Sequence, residues 1–321
     1  MSSGAWKAGA MTPTEVLDAL FQPLPDPPEG DGPIDVRSFL AAHGPGGAEG
    51  PTYFSRLVRV AQQADRRSLA SVAGHQAAVR RLFPSTPDDA VVAFCVSEDK
   101  GPRPSHIHTA LTAAGDDFTM NGHKRWGSMA PVSDVWYVAA SVGRDDQGRN
   151  QLRMVALPSD RPGASVDLEP YRDWGPEFQI CDLHFDGVEV RSDEVIPGDG
   201  YVDAIKPFRL VEDVYNTAGT LIGLFQLGRR HGWASEQLGP LVGLIVEAAA
   251  IAETDMASPA SVVLLSDWLA RADAAWIAAW ESWSDAPDDV VEAWTPERTL
   301  LGVAAAARET RRETAWKELL G

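Results

Sequence analysis

Apolar and polar residues alternate along this chain at two different periods, and the changes of period divide it into three. Up to about residue 90 the apolar positions recur every three or four residues, the spacing of one helix face. TPTEVLDALF opens with Thr12 and carries Glu15 three residues later, the pattern of a capping box that starts a helix. Residues 23–33 and 44–51, rich in Pro and Gly, separate short helices. Residues 53–83 again space their apolar positions helically, with a break near Asp65. This first segment, residues 1–92, is expected to be a helical domain.

From residue 93 to 198 the runs shorten. AVVAFCV, DFTMNGHKRWG, DVWYVAASV, QLRMVALP and FQICDLHFDGVEV are β-branched and aromatic, and Gly, Asp and Pro bound them. They read as antiparallel strands at the spacing of a barrel or sandwich, with GRDDQGRN as a hairpin turn. In residues 199–321 the helical period returns. Pro207 sits where a first-turn proline belongs, ahead of a long helix to about Trp233, and Pro259 and Pro296 open two more. Trp276, Trp280 and Trp283 share a face at i, i+4, i+7, as core or as a subunit interface. Helices, then strands, then helices make an α+β chain, so no parallel nucleotide-binding sheet is expected. No GxGxxG or Walker loop is present, and GPGG at residues 44–47 is too short to cradle a phosphate.

Charge narrows the partners. A net charge of −18 opposes nucleic acid binding and slows the approach of any anionic ligand, which would need a local basic patch or a helix N-terminus. No apolar run reaches 18 residues and the first residues lack the pattern of a secretory signal, so a cytoplasmic protein without membrane spans is expected. Cys95 and Cys181 lie in strand-like runs and read as buried, reduced thiols. His106 and His108 form an HxH without a third ligand at metal spacing and read as loop histidines. Arg308, Arg311 and Arg312 share one face of the last helix, for a solvated or interface role.

One strand ends oddly. FCVSEDKGPRPSHIH passes from an apolar run straight into a rigid polar loop at Ser97. FCVSED, NGHKRWGSMAPVSDVWYVAA and CDLHFDGVEVRSDEVIPGDGY resemble three signature stretches of the acyl-CoA dehydrogenase family, and the resemblance covers roughly residues 70–226. It implies an N-terminal helical domain, a middle β-barrel and a C-terminal helical bundle, with FAD between the last two. By resemblance, Val96 and Ser97 meet the pyrimidine edge of the flavin, Trp126 lies against its rings and Ser128 reaches its N5 side. Such groups suit a flavin, which needs short donors at its polar edge and an apolar wall on its face. Here the strand would end at Ser97 to form one wall of that pocket.

The family removes an α-proton from an acyl thioester, carried by CoA or by a carrier protein, while hydride leaves the β-carbon for the flavin. One subset places the carboxylate base on the first long helix of the last domain, and Glu212, seven residues before Gly219, matches that position. Glu212, Asn216, Gly219 and Gly223 fall along one stripe, with glycines that admit a ligand or a neighbouring backbone. The alternative for Glu212 is a solvated acid paired with Arg209. Ser105 matches a substrate contact in the loop after Glu98, and Asn216 and Gly219 join it as substrate-facing positions. The pattern departs from the family in the loop after Glu98, where Gly-Pro-Arg-Pro-Ser stands in place of Ala-Gly-Ser-Asp, and at three further points. Asp213 stands where a basic residue follows the base, an Arg-x-x-Phe-Gly stretch is missing at residues 231–241, and the last domain is short by about one helix. Three readings follow: a flavin-dependent acyl thioester dehydrogenase, most often a homo-oligomer; one subunit of a mixed oligomer with a second dehydrogenase-like chain, or a scaffold without flavin; and a flavin monooxygenase of the same fold.

Overall fold

The computed structural model describes residues 11–23, 35–43, 52–174, 179–281, 283, 285–294 and 298–321. The Pro/Gly-rich stretch 24–34, the stretch 44–51 with its GPGG, and Pro296 lie outside them. The described residues divide into two compact units. One is helical and joins residues before 86 to those from 209 onward; the other holds residues 35–37 and 86–208. Helices expected as two separate domains thus share one unit.

In the helical unit, α1 (Pro13–Leu20) begins with the expected box. Thr12 Oγ1 accepts the Glu15 amide at 3.3 Å, and Glu15 Oε2 accepts the Thr12 amide at 2.7 Å. Next comes α2 (Val36–His43), whose Arg37 belongs to the sheet unit and donates to the Val132 carbonyl and to Asp134, both at 2.6 Å. The helical run 53–83 breaks where expected, into α3 (Tyr53–Ala61) and α4 (Arg67–Leu82).

The sheet unit holds eight strands among the described residues: β1 (Val92–Cys95), β2 (Ala110–Ala114), β3 (Asp117–Ser128), β4 (Val135–Arg144), β5 (Asn150–Pro158), β6 (Ala164–Asp167), β7 (Ile180–Val190) and β8 (Val195–Ile196). Their order is β6-β7-β3-β2-β4-β5-β8, with β1 paired to β4. Most pairs are antiparallel, but β4 takes both β1 and Ala110 of β2 in parallel. Apart from these two pairings the sheet is antiparallel, as expected. A central strand can accept parallel neighbours when it is buried on both faces, and residues 136–140 of β4 are buried without alternation. The β4–β5 hairpin turns where GRDDQGRN stands, with Asp145 Oδ1 accepting the Gln147 and Arg149 amides.

The helix holding Pro207 starts earlier than the proline suggests. Residues Gly200–Ile205 wind in the wider π register, capped by Asp199, whose side chain accepts the Tyr201 and Val202 amides. Pro207, which has no amide to donate, falls where this turn gives way to α5 (Lys206–Arg230). Then follow α6 (Ser235–Ile251), α7 (Pro259–Glu281), α8 (Asp288–Trp294) and α9 (Arg298–Leu320). Of the tryptophan stripe, Trp276 is buried core under the Arg67 guanidinium, 5.1 Å from its ring centre. Trp280 and Trp233 pack edge-on against Trp283. No described helix is long and apolar enough to cross a membrane.

Candidate functional site

The abrupt end of β1 has a local cause. Val96 is buried, Ser97 is half-buried, and Glu98 turns inward and is 3% exposed. Its carboxylate collects four donors: Lys124 Nζ at 2.7 Å, Thr109 Oγ1 at 2.8 Å, and the amides of His108 at 2.7 Å and Thr109 at 3.0 Å. The polar loop after Ser97 folds round a buried charge because a carboxylate out of water must be fully bonded. Burial raises the carboxyl's proton affinity, but Lys124 and the loop amides outweigh it, so Glu98 titrates below the usual carboxylate range. Lys124 is buried completely, and desolvation brings it down to about 8 against the pull of Glu98. Asn150 Nδ2 ties the far end of the loop, bonding the Pro104 and Ile107 carbonyls. Ser105 is exposed on the short turn Pro104–His106 between those carbonyls. His106 Nδ1 lies 2.8 Å from the Lys100 carbonyl oxygen.

Across from Ser97, β3 carries a bulge. Lys124 pairs with Leu183 and Gly127 with Cys181, so Arg125 and Trp126 together face Asp182 alone. The Arg125 amide donates to the Ser97 carbonyl at 2.8 Å, which joins the loop to the bulge. Trp126 adopts φ +60°, the left-handed region that a bulky residue enters at a cost of about 1–3 kcal/mol. Its amide donates to Tyr171 Oη at 3.1 Å, and its ring meets Tyr171 edge-on at 5.1 Å. Tyr171 Oη donates in turn to Asp182 Oδ1 at 2.7 Å, and Arg125 Nε lies 3.3 Å from the other Asp182 oxygen. Burial and the bond to Asp182 push the Tyr171 phenol up to about 12. Met129 and Gln179 also have positive φ, and the Met129 amide donates to the Gln179 carbonyl. All three non-glycine residues with positive φ among those described thus lie at the adjoining ends of β3 and β7.

This arrangement turns Trp126 outward, 44% exposed, with half-buried Ser128 two residues on and Ser97 one hydrogen bond from Arg125. Val96 buries its side chain in the core and has only its backbone to offer a ligand. The two thiols are buried and free, and burial lifts both well above the ordinary thiol range.

Glu212 belongs to the helical unit. Its partner is His75 of α4, whose Nδ1 lies 3.1 Å from Glu212 Oε1, where the sequence had offered Arg209. The stripe that continues from Glu212 meets a neighbouring backbone. A Cβ on Gly219 would come within 2.5 Å of the Ala70 carbonyl, and one on Gly223 within 2.6 Å of the Trp294 ring. Asn216 lies against Gly74. Gly219 and Asn216, expected to face substrate, therefore form a close helix crossing, because glycine is what lets two backbones approach this far.

Asp213 is likewise turned inward. Arg308 Nη2 of α9 holds one of its oxygens at 2.6 Å and Arg311 the other at 3.0 Å. The face expected to be solvated or interfacial thus splits: Arg308 and Arg311 grip Asp213, and Arg312 pairs with Glu309. Burial still holds the Asp213 carboxyl above its ordinary value despite both guanidiniums.

Sequence reasoning did not identify Lys124, Tyr171, Asp182 or His75. The first is marked only in the structure. Buried positions of β3 run 120 and 124, then 127, and this change of parity between a lysine and a glycine marks a bulge beside a buried cation.

Parts of the chain are similar to known proteins. Residues 93–188 match the model of the acyl-CoA dehydrogenase middle domain. The acyl-CoA dehydrogenase IpdE1 of Mycobacterium tuberculosis is 26% identical over 170 residues, 50% of this chain and 43% of that protein. The benzylmalonyl-CoA dehydrogenase of Aromatoleum aromaticum is 29% identical over 116 residues, 36% of this chain and 30% of its own. The matched stretches thus span less than half of these relatives. A solved FAD-dependent dehydrogenase superposes with a TM-score of 0.65 at 16% identity, over 96% of this chain and 97% of that one. Residues 93–188 thus match the acyl-CoA dehydrogenase middle domain, and the chain resembles that family in sequence and in fold.

Proposed function

We propose that the protein is a flavin-dependent oxidoreductase that introduces a double bond between the α- and β-carbons of an acyl thioester, with Glu212 as the base. The observation that carries the cofactor is Trp126, a large ring held in a strained backbone and presented to solvent. Strain of this kind persists where surrounding contacts enforce it, and here the Tyr171 and Ser97 bonds do so. The residues present fit a flavin: Trp126 for a ring face, the hydroxyls of Ser97 and Ser128 and the backbone of Val96 and Ser97 for its polar edge. When bound, the flavin supplies the acceptor for the hydride that leaves the β-carbon. FAD is the form proposed, in keeping with the FAD-dependent neighbour in fold.

The chain's own residues do the rest. The Glu212 carboxylate takes the α-proton, whose acidity comes from the adjacent thioester carbonyl. The Glu212 side chain is 35% exposed, so it is open to substrate while His75 holds one oxygen. Ser105, exposed on its turn, is the proposed polar contact to the thioester. The carrier of the acyl group, CoA or a carrier protein, and the assembly into homo- or hetero-oligomers belong to this proposal as well.

The visible spectrum of the purified protein, before and after incubation with FAD, tests the reading. A protein-bound flavin band is expected, and Trp126→Ala should weaken FAD binding by roughly 10-fold or more, the worth of about 1–2 kcal/mol of aromatic contact. Protein that stays colourless at saturating FAD would sink it.

A further inference from the structure

α4 and α5 cross where side chains are missing. A Cβ on Gly74 would lie 2.6 Å from the Asn216 Cα and the Tyr215 carbonyl, and Gly219 is as close to Ala70 on the same pair of helices. Two backbones in contact at two places fix the axial register of both helices. The residues beside those contacts are fixed with them. His75 follows Gly74, and Glu212 stands one turn before Asn216, so the crossing sets the imidazole against the carboxylate at 3.1 Å. Exposure is unequal across the pair: the His75 side chain is 7% exposed and the Glu212 side chain 35%. The imidazole is a fixture of the interior, and the carboxylate is the member that reaches outward. Asp213 on its own helix and Arg308 from α9 also interact with Glu212, and these two are bonded to each other.

We propose that His75 is a positioning residue for Glu212: its Nδ1–H holds one carboxylate oxygen at the helix crossing, so that the other oxygen is presented to the substrate's acidic C–H. The role of Glu212 as base rests on the function proposed above; the couple itself does not. A neutral imidazole carries its proton on one nitrogen, and which nitrogen is set by the acceptor it faces. A carboxylate beside Nδ1 selects Nδ1–H. A general base whose carboxylate wanders loses rate steeply, since a displacement of about 1 Å costs on the order of 100-fold. Orientation by a buried second residue removes that freedom.

Two measurements test the proposal. The first is the long-range 15N–1H spectrum of the histidine rings in the full-length protein, with the His75 signals assigned by their loss in His75→Asn. Wild type should show a protonated Nδ1 at His75, and Glu212→Leu should move that proton to Nε2. An unprotonated Nδ1 in the wild type overturns the proposal whatever the protein's activity. The second measures oxidation of a panel of short, branched and aromatic acyl-CoA thioesters by the FAD-loaded protein with a ferrocenium acceptor. His75→Leu should lower kcat roughly 10- to 100-fold with little change in KM and should move the acid limb of the kcat–pH profile. His75→Asn, which keeps an N–H at the place of Nδ1, should restore part of the loss. A His75→Leu protein that is folded and keeps the wild-type kcat and acid limb refutes the positioning role. A Glu212→Gln protein that keeps its activity instead refutes the base, which is a different failure.

Discussion

Replacing Lys124 by Met removes the cation bonded to Glu98 while nearly keeping the side chain's length. Three donors remain on the carboxylate: the His108 and Thr109 amides and the Thr109 hydroxyl. Glu98, 3% exposed, is then a buried charge that has lost its bonded counter-charge. Breaking a buried pair in this way costs about 3–5 kcal/mol, against at most 1 kcal/mol for a surface pair. At roughly 3–4 °C per kcal/mol for a unit of this size, the melting midpoint at pH 7 should fall by about 10–20 °C. The pH dependence gives a second signature with a definite sign. In the wild type Glu98 titrates below the usual range, so its contribution to stability is present above its unfolded value of 4.5 and is lost as pH falls through the folded one. Without Lys124 the largest remaining influence is burial, which raises the carboxyl, so folding now favours the protonated form and the variant gains stability as pH falls towards 4.5. The gap in melting midpoint between wild type and Lys124→Met should therefore shrink from pH 7 to pH 5. Calorimetry of both proteins across that range checks it. A gap under about 2 °C at pH 7, or one that stays constant with pH, would refute the argument.

Other substitutions probe the two units separately. Tyr171→Phe removes the acceptor of the Trp126 amide and the donor to Asp182, and should cost about 1–3 kcal/mol in chemical denaturation. Trp126→Gly relieves the left-handed backbone by about 1 kcal/mol, so its melting midpoint should stay within a few degrees of wild type while FAD titration shows weaker binding. Gly219→Ala places a methyl group on the Ala70 carbonyl and should destabilise the helical unit by about 1–3 kcal/mol in a thermal melt, whereas Gly239→Ala, which meets nothing within 4 Å, should not.

The helices were legible where local chemistry decides them. The capping box at Thr12 and Glu15 and the break near Asp65 are short-range signals, and both stand as expected. Strand patterns were read for the five longer runs, but β2, β6 and β8 escaped because four or five residues at most, partly exposed, carry little alternation. Long-range pairing lies outside any local pattern, which is why parallel β1 and β4 were not foreseen. The same limit governs the site. Trp126, Ser97 and Ser128 were found through the family's stretches, yet the Tyr171 bond that strains Trp126 comes from 45 residues away. Glu212 was singled out by its distance from Gly219, while its partner His75 is 137 residues distant and carries no mark of its own. Asp213 looked like a lost basic residue, and only the tertiary structure shows the two guanidiniums of α9 that it holds.

The bulge at Arg125 and Trp126 works as a joint within β3. Before it, even-numbered residues face inward, as Met120 and Lys124 do; after it, Gly127 and Met129 do. A strand without such a joint passes any shift of register along its whole length. Here the two halves are free to vary independently. Substitutions at Trp126 or Ser128 can then reshape the exposed end without disturbing the register that seats Lys124 against Glu98. Deleting Arg125 would leave Trp126 alone opposite Asp182 and remove that joint, with Lys124 and Gly127 still facing inward on a plainly alternating strand.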